Sequence, residues 1–464
     1  MIATGTLVVL PSLSFAVAEL VKIKGIVHYE ERLLCMLLLL GDPEQRMVYV
    51  TSVPVDPAVV DYYLGFLPDP AGARRRLHLV SVGEGGPRPL SQKLLDRPEL
   101  VPELRALAAD PRGAWLLPFN VTAAEWALAD ALDLPLYGPR TDLVALGSKS
   151  GSRRVAHRAG VAVLAGEEAL FSVEETVEAL ARLRDERPEA GAAVVKLNNG
   201  FSGQGNAIVD LAGLADPLPA SPTMFCAGEE SWPSFAAKIA VEGAIVEELV
   251  DADGTVSPSV QLRITPGGQV ELISTHDQVL GGPARQVYLG CRFPAANGYR
   301  AAIQEAARRV GAVLAGEGVV GWLGIDFVAT PAGRDARGPE VTLSEINLRM
   351  GGTTHPYWMA RLATGGTYDA AAGELVVGDV AKCYVATDNL VSPGLLGRPP
   401  AAAIETVEGA GLGYDAARAT GTTLHLLGAL TDHGKMGVTC IGDSIEEAEE
   451  RFAEVSAKLE TAGG

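Results

Sequence analysis

Two stretches late in the chain, WLGIDFVAT (Trp322–Thr330) and VTLSEINLRM (Val341–Met350), constrain it more than any others. Both alternate with the period of two that marks a β-strand, so residues two apart share a face. Leu323, Ile325 and Phe327 fall on one face of the first, with Gly324 and Asp326 on the other. In the second, Ile346 and Leu348 oppose Glu345, Asn347 and Arg349. The polar loop TPAGRDARGPE between them predicts a hairpin. If the strands pair, each buries an apolar face and turns Asp326, Glu345 and Asn347 into one space. Two carboxylates and an amide oxygen are hard ligands suited to Mg²⁺ or Mn²⁺, which share substrate phosphates. A lone polar strand face is usually only solvated, so other features must carry the reading.

Several do. NNGFSGQGN (Asn198–Asn206) sets Gly200, Gly203 and Gly205, with Ser202, between two strand-like runs. Glycines there let backbone N–H groups approach an anion, or simply make a surface turn. No GxxxxGK[ST] occurs, so this is not the strand-to-helix phosphate loop. Lys196 ends the apolar strand AAVVK just before the loop, and Lys149 heads the basic helix GSKSGSRRVAHRAG. A lysine is a point charge suited to phosphate. Arg153, Arg154 and Arg158 on the same helix read as solvated. IVEELV (Ile245–Val250) places paired acids after an apolar pair, either at a plain strand end or where a nucleotide base and ribose could be read.

The remaining chain supplies context. Its 48% hydrophobic and 20% charged residues describe an ordinary globular protein, and its length predicts two to four domains. A net charge of −19 argues against nucleic acid or an anionic membrane as the main partner, but permits a local cationic pocket. Five scattered cysteines show neither metal-ligand spacing nor a disulfide framework. LLCMLLLL (Leu33–Leu40) is about half the length of a membrane span, and the amino terminus lacks a signal peptide's basic region, so a cytoplasmic location is expected. Strand-like runs at Thr6–Ser12, Met47–Ser52, Leu77–Val82 and Ala114–Phe119 alternate with helical ones, predicting a parallel α/β sheet. Pro and Gly around Ser392–Ala402 mark a break, after which come one strand and a helix with a capping box at Ser444 and Glu447.

In order, Lys149, Lys196, the glycine loop, IVEEL, GIDF and SEINLR resemble the ATP-grasp superfamily, from about residue 140 to 380. SVQLRI and ISTHDQVLGG beside SEINLRMGGTTHP are similar, more narrowly, to the pheganomycin-type peptide ligases. The resemblance implies an α/β fold with α+β grasp lobes. A Rossmann-like pre-ATP-grasp domain would cover 1–143, a small lobe with the glycine lid 144–250, a large lobe with the metal site 251–391, and a small C-terminal α/β segment 392–464. It implies that Lys149 and Lys196 hold the phosphates of ATP under the glycine lid. Glu247, Glu248 and Val250 would line the adenosine site, and Asp326, Glu345 and Asn347 would ligate Mg²⁺ or Mn²⁺. Arg349 would face the reacting carboxylate.

Some related dipeptide ligases carry an arginine where this chain has Gly324, so the charge is expected from Arg263, Arg285 or Arg349. His276 and Asp277 are further polar candidates, with Asp277 able to pair with a guanidinium. His355 stands where it either faces substrate or caps the glycine turn. The implied reaction joins an amino-acid-derived carboxylate, N-guanidino acids included, to a peptide amine through an acyl phosphate, in natural-product biosynthesis. A carboxylase, a carboxylate kinase and a non-catalytic ATP binder are the alternatives. The oligomeric state, a homodimer among the options, stays open.

Overall fold

The computed structural model describes residues 5–200, 205–215, 217–250, 254–282, 287–331 and 338–462. Four buried strands, Thr6–Leu10, Arg46–Thr51, Leu77–Ser81 and Ala114–Pro118, form the expected parallel sheet. Apolar residues fill both of its faces, as a sheet covered on two sides requires. The apolar run after Ile26 is a buried 3₁₀-type segment, Ile26–Gly41, packed on this sheet's core. No helix among the described residues is long and apolar enough to cross a membrane.

A five-stranded antiparallel sheet holds Ala192–Leu197 between Ala244–Glu248 and Asn206–Asp210. A ten-stranded sheet follows, in which Pro258–Ile264 lies between Val270–Gly281 and Gly321–Thr330, with Glu340–Asn347 at the edge. The C-terminal strands Gly421–His425 and Lys435–Gly442 do not form a sheet of their own. Lys435–Gly442 pairs with Val380–Val391 and so extends the ten-stranded sheet.

The large sheet has one apolar and one mixed face. Val260, Leu262, Ile325, Phe327 and Ile346 bury against the helices Lys149–Arg158 and Asn297–Gly316. The opposite face runs, across neighbouring strands, through Glu345, Asp326, Ser259, His276, Phe293 and Tyr384. Its first residues border a cavity, whereas the far ones are sealed in an aromatic cluster with Tyr357 of the helix Thr354–Thr364.

Candidate active site

The predicted hairpin forms, with Asp326 opposite Glu345 and Gly324 opposite Asn347. A register shift just after Asp326 leaves Ser344 unmatched, and such a bulge bends a strand locally. Asp326 accepts from Asn347 Nδ2 at 2.9 Å and from Gln278 Nε2 at 2.6 Å. Burial first, and the Glu345 carboxylate second, push the Asp326 carboxyl up to about 7. Two carboxylates held this close, with an amide beside them, fit a divalent cation, since it would relieve the repulsion that raises Asp326. Asn347 would turn its amide to present oxygen.

Lys149 caps this arrangement from the helix side. Ser148 Oγ accepts from Gly151 N at 3.0 Å and starts the helix Lys149–Arg158. Asn198 takes the Ser150 N–H on its side chain and the Lys149 N–H on its carbonyl, tying the helix start to the glycine loop. From there Lys149 Nζ reaches Glu345 at 2.7 Å and the Gly200 carbonyl at 3.0 Å. Lys149, Glu345 and the start of the glycine loop therefore meet. Ser202 and Gly203 lie outside the described residues, as does Arg285.

Lys196 lines the same cavity and pairs with Glu247 at 2.7 Å. Glu247 corrects one expectation: it is fully buried, held also by Arg153 at 2.9 Å, and does not line the cavity. Its carboxylate positions Lys196 and is spent doing so. Arg153, expected in solvent, is buried between Glu247, Glu168 and two backbone carbonyls. Glu248 gives its carboxylate to Arg187 and the Ala165 N–H, while the chain through Leu249 and Val250 borders the cavity with Leu164 and Val194. An apolar slot edged by a strand's end suits a planar base.

Four further expectations are corrected. His276 lies on the site's face of the sheet but under the helix Thr354–Thr364, fully buried, with Nε2 2.6 Å from the Tyr384 hydroxyl. Burial pulls its imidazole down to about 3, so it is a neutral core group and not a catalytic one. Arg263 donates to Glu271 at 2.7 Å and lies over Trp322, away from the cavity lining. Asp277 borders the cavity but turns its carboxylate to the other face, accepting from the Tyr299 hydroxyl at 2.6 Å and the Ala296 N–H at 3.0 Å. The residue of that stretch aimed at Asp326 is Gln278, which strand alternation alone would have separated from Asp277. His355 neither faces the cavity nor caps the turn: it is buried against Asp388 at 2.8 Å.

Arg349 remains. The strand ladder ends at Asn347, Arg349 N bonds back to the Asn347 carbonyl, and Met350 N bonds to Phe119 of the N-terminal sheet. The guanidinium donates to the Met350 carbonyl at 3.0 Å and lies over the Phe15 ring. No carboxylate among the described residues lies within salt-bridge distance, so a half-buried cation borders the cavity next to Asp326 and Glu345. The cavity, about 1120 Å³, is large enough for a nucleotide and a second small molecule.

The fold agrees with the comparisons. An ATP-grasp domain described as IQCH-like matches residues 143–218 and 223–371, a pre-ATP-grasp domain matches 30–134, and a PGM1 C-terminal domain matches 402–455. An L-propargylglycine–L-glutamate ligase from Streptantibioticus cattleyicolor is 35% identical over 457 residues, covering 96% of this chain and 92% of that protein. IQ motif-containing protein H of Danio rerio is 22% identical over 384 residues, 70% of this chain but 36% of that protein. Among solved structures, a biotin carboxylase from Campylobacter jejuni aligns with a TM-score of 0.59 and 13% identity over 98% of this chain and 91% of that one. An N5-carboxyaminoimidazole ribonucleotide synthetase crystallised with ADP aligns with a TM-score of 0.58 and 14% identity, over 98% of each chain. The chain belongs to the ATP-grasp ligases, with a pre-ATP-grasp domain ahead of the grasp fold.

Proposed function

We propose that the protein is an ADP-forming ligase that joins an amino-acid-derived carboxylate to the amine of an amino acid or peptide. The observation that carries this reading is one cavity bordered by Asp326, Glu345 and Asn347, by Lys149 and Lys196, and by Arg349, which has no carboxylate partner among the described residues. The propargylglycine–glutamate ligase, by its name a coupler of two amino acids, supports the substrate class.

ATP binds with its base in the slot by Leu164 and Val250 and its phosphates between Lys149 and Lys196. Mg²⁺ or Mn²⁺ on Asp326, Glu345 and Asn347 would supply charge neutralisation at the phosphate oxygens. Arg349 holds the substrate carboxylate against its repulsion by the triphosphate. A carboxylate oxygen bonds to the γ-phosphorus, the bond to the β-phosphate oxygen breaks, and ADP departs with that electron pair. The amine nitrogen then bonds to the acyl carbon, the acyl–oxygen bond breaks, and phosphate leaves as the nitrogen loses its proton. The acyl phosphate must be kept from water meanwhile, and the glycine-rich sequence from Asn198 to Asn206 is the candidate for that role. Asp277 is committed elsewhere, and the other acids lining the described cavity are Glu248, Asp326 and Glu345, so nothing there favours N-guanidino acids over other amino-acid carboxylates.

The test is product analysis with Mg-ATP, a panel of amino and guanidino acids, and amino-acid and dipeptide amines. ADP, phosphate and amide should appear in equal amounts, only when both organic substrates are present. ADP without amide would point to a carboxylate kinase, bicarbonate-dependent ADP release to a carboxylase, and AMP with pyrophosphate would overturn the mechanism.

A further inference from the structure

The cavity has a second charged end, remote in sequence from every motif above. Tyr29, Arg32 and Lys435 line it, the first two from the segment Ile26–Gly41 and the third from the strand Lys435–Gly442. Tyr29 is flanked by both cations. The Arg32 guanidinium lies 4.2 Å from the ring centroid, and Lys435 Nζ lies 5.0 Å from it and donates to the Tyr29 hydroxyl at 2.6 Å.

Arg32 is braced from behind. Asp388 takes its Nη2 on one carboxylate oxygen, and the other oxygen accepts from both His355 Nε2 and His425 Nε2 at 2.8 Å. The three side chains His355, Asp388 and His425 come close enough to hold a metal ion. The guanidinium already on Asp388 would set a divalent cation against a like charge, so the trio reads as a brace for Arg32.

Two features of this end are unsatisfied. Lys435 is only 9% exposed, and no carboxylate among the described residues lies within 4 Å of its ammonium. The buried Arg32 Nε has no hydrogen-bond partner among the described residues. A buried cation without a counter-charge is costly, by several kcal/mol, and in a chain of net charge −19 it is not a by-product of composition. An anion entering the cavity would give Lys435 its missing counter-charge.

We propose that Arg32, Tyr29 and Lys435 form a carboxylate-binding subsite for the amine substrate. The inference rests on the ligase reading for the identity of that substrate. Lys149 and Lys196 serve phosphate and Arg349 serves the reacting carboxylate. Of the other cations lining the cavity, Lys22 is paired with Glu19 and Glu229, Arg292 with Glu449, and Lys24 is exposed, which leaves this end for the carboxylate that the coupled amino acid keeps. That carboxylate is either the α-carboxylate or one on an acidic side chain.

The experiment is calorimetric titration of the Mg-ADP-loaded protein with L-glutamate, L-glutamine and L-glutamic acid α-amide, for wild type, Lys435→Gln, Lys435→Arg and Tyr29→Phe. Lys435→Gln should weaken glutamate roughly 10- to 100-fold, Tyr29→Phe less, and Lys435→Arg should restore most of the affinity. ADP affinity, unchanged throughout, shows that the variants are folded. The amide lacking the contacted carboxylate should be indifferent to Lys435→Gln. Indifference of the α-amide assigns the α-carboxylate, and indifference of glutamine assigns the side chain. Failure of wild type to bind any of the three, or equal binding by wild type and Lys435→Gln, overturns the subsite. Binding with this pattern but no amide from any carboxylate would leave the subsite standing and overturn the ligase reading.

Discussion

Asp326 carries the most consequence per atom. Its carboxyl is lifted to about 7 because it is buried beside Glu345, so below that pH a bound cation must displace a proton. Mg²⁺ binding should therefore release protons at pH 6, and its apparent affinity should rise as pH climbs towards 7. Titration calorimetry in two buffers of different ionisation enthalpy measures this. Asp326→Asn should cut turnover about 1000-fold or more while leaving the thermal midpoint level or higher, because it removes the repulsion with Glu345. At this scale strand alternation was enough to place Asp326, Glu345 and Asn347 together. It also contained the signal for Gln278, two residues from His276 on the same face. What it could not show is where along that face the cavity ends and the aromatic cluster begins. That boundary is set by the helix Thr354–Thr364 lying across strands distant in sequence.

Between elements, the nucleotide end depends on how tightly two strands approach. Gly166, at φ +150°, pairs with Glu247, and a Cβ there would meet the Val246 carbonyl oxygen at 1.9 Å. Gly166→Ala should cost about 2–4 kcal/mol, read as a lower denaturant midpoint. Because Glu247 positions Lys196, the surviving folded protein should also show a raised KM for ATP. The hairpin of Gly321–Thr330 and Glu340–Asn347 was legible from its period, and so was the capped helix Ile445–Thr461. The burial of Arg153 was not. A helical arginine in a basic run looks solvated until Glu168, Glu247 and two carbonyls from other elements surround it.

Across the whole molecule, two buried imidazoles link stability to pH. Burial holds His276 at about 3, and burial, partly opposed by Asp388, holds His355 at about 4. Both lie below the ordinary value, so their contribution is present above about pH 6.5 and is lost as pH falls towards 4. The thermal midpoint should drop steadily from pH 7 to 5, and His276→Gln, which keeps a partner for Tyr384 but cannot take a proton, should flatten that slope. His355 belongs to a junction of four segments, Ile26–Gly41, Thr354–Thr364, Val380–Val391 and Gly421–His425, that meet around Asp388. By itself the sequence determined the parallel first sheet and the hairpin that gathers Asp326, Glu345 and Asn347, because periodicity and local spacing act within a few residues. Only the tertiary structure decided that His276 and Arg263 are core, that Glu247 is a brace, and that Arg32 and Lys435 share one end of the cavity. Those outcomes depend on burial and on partners hundreds of residues apart, which no local pattern encodes.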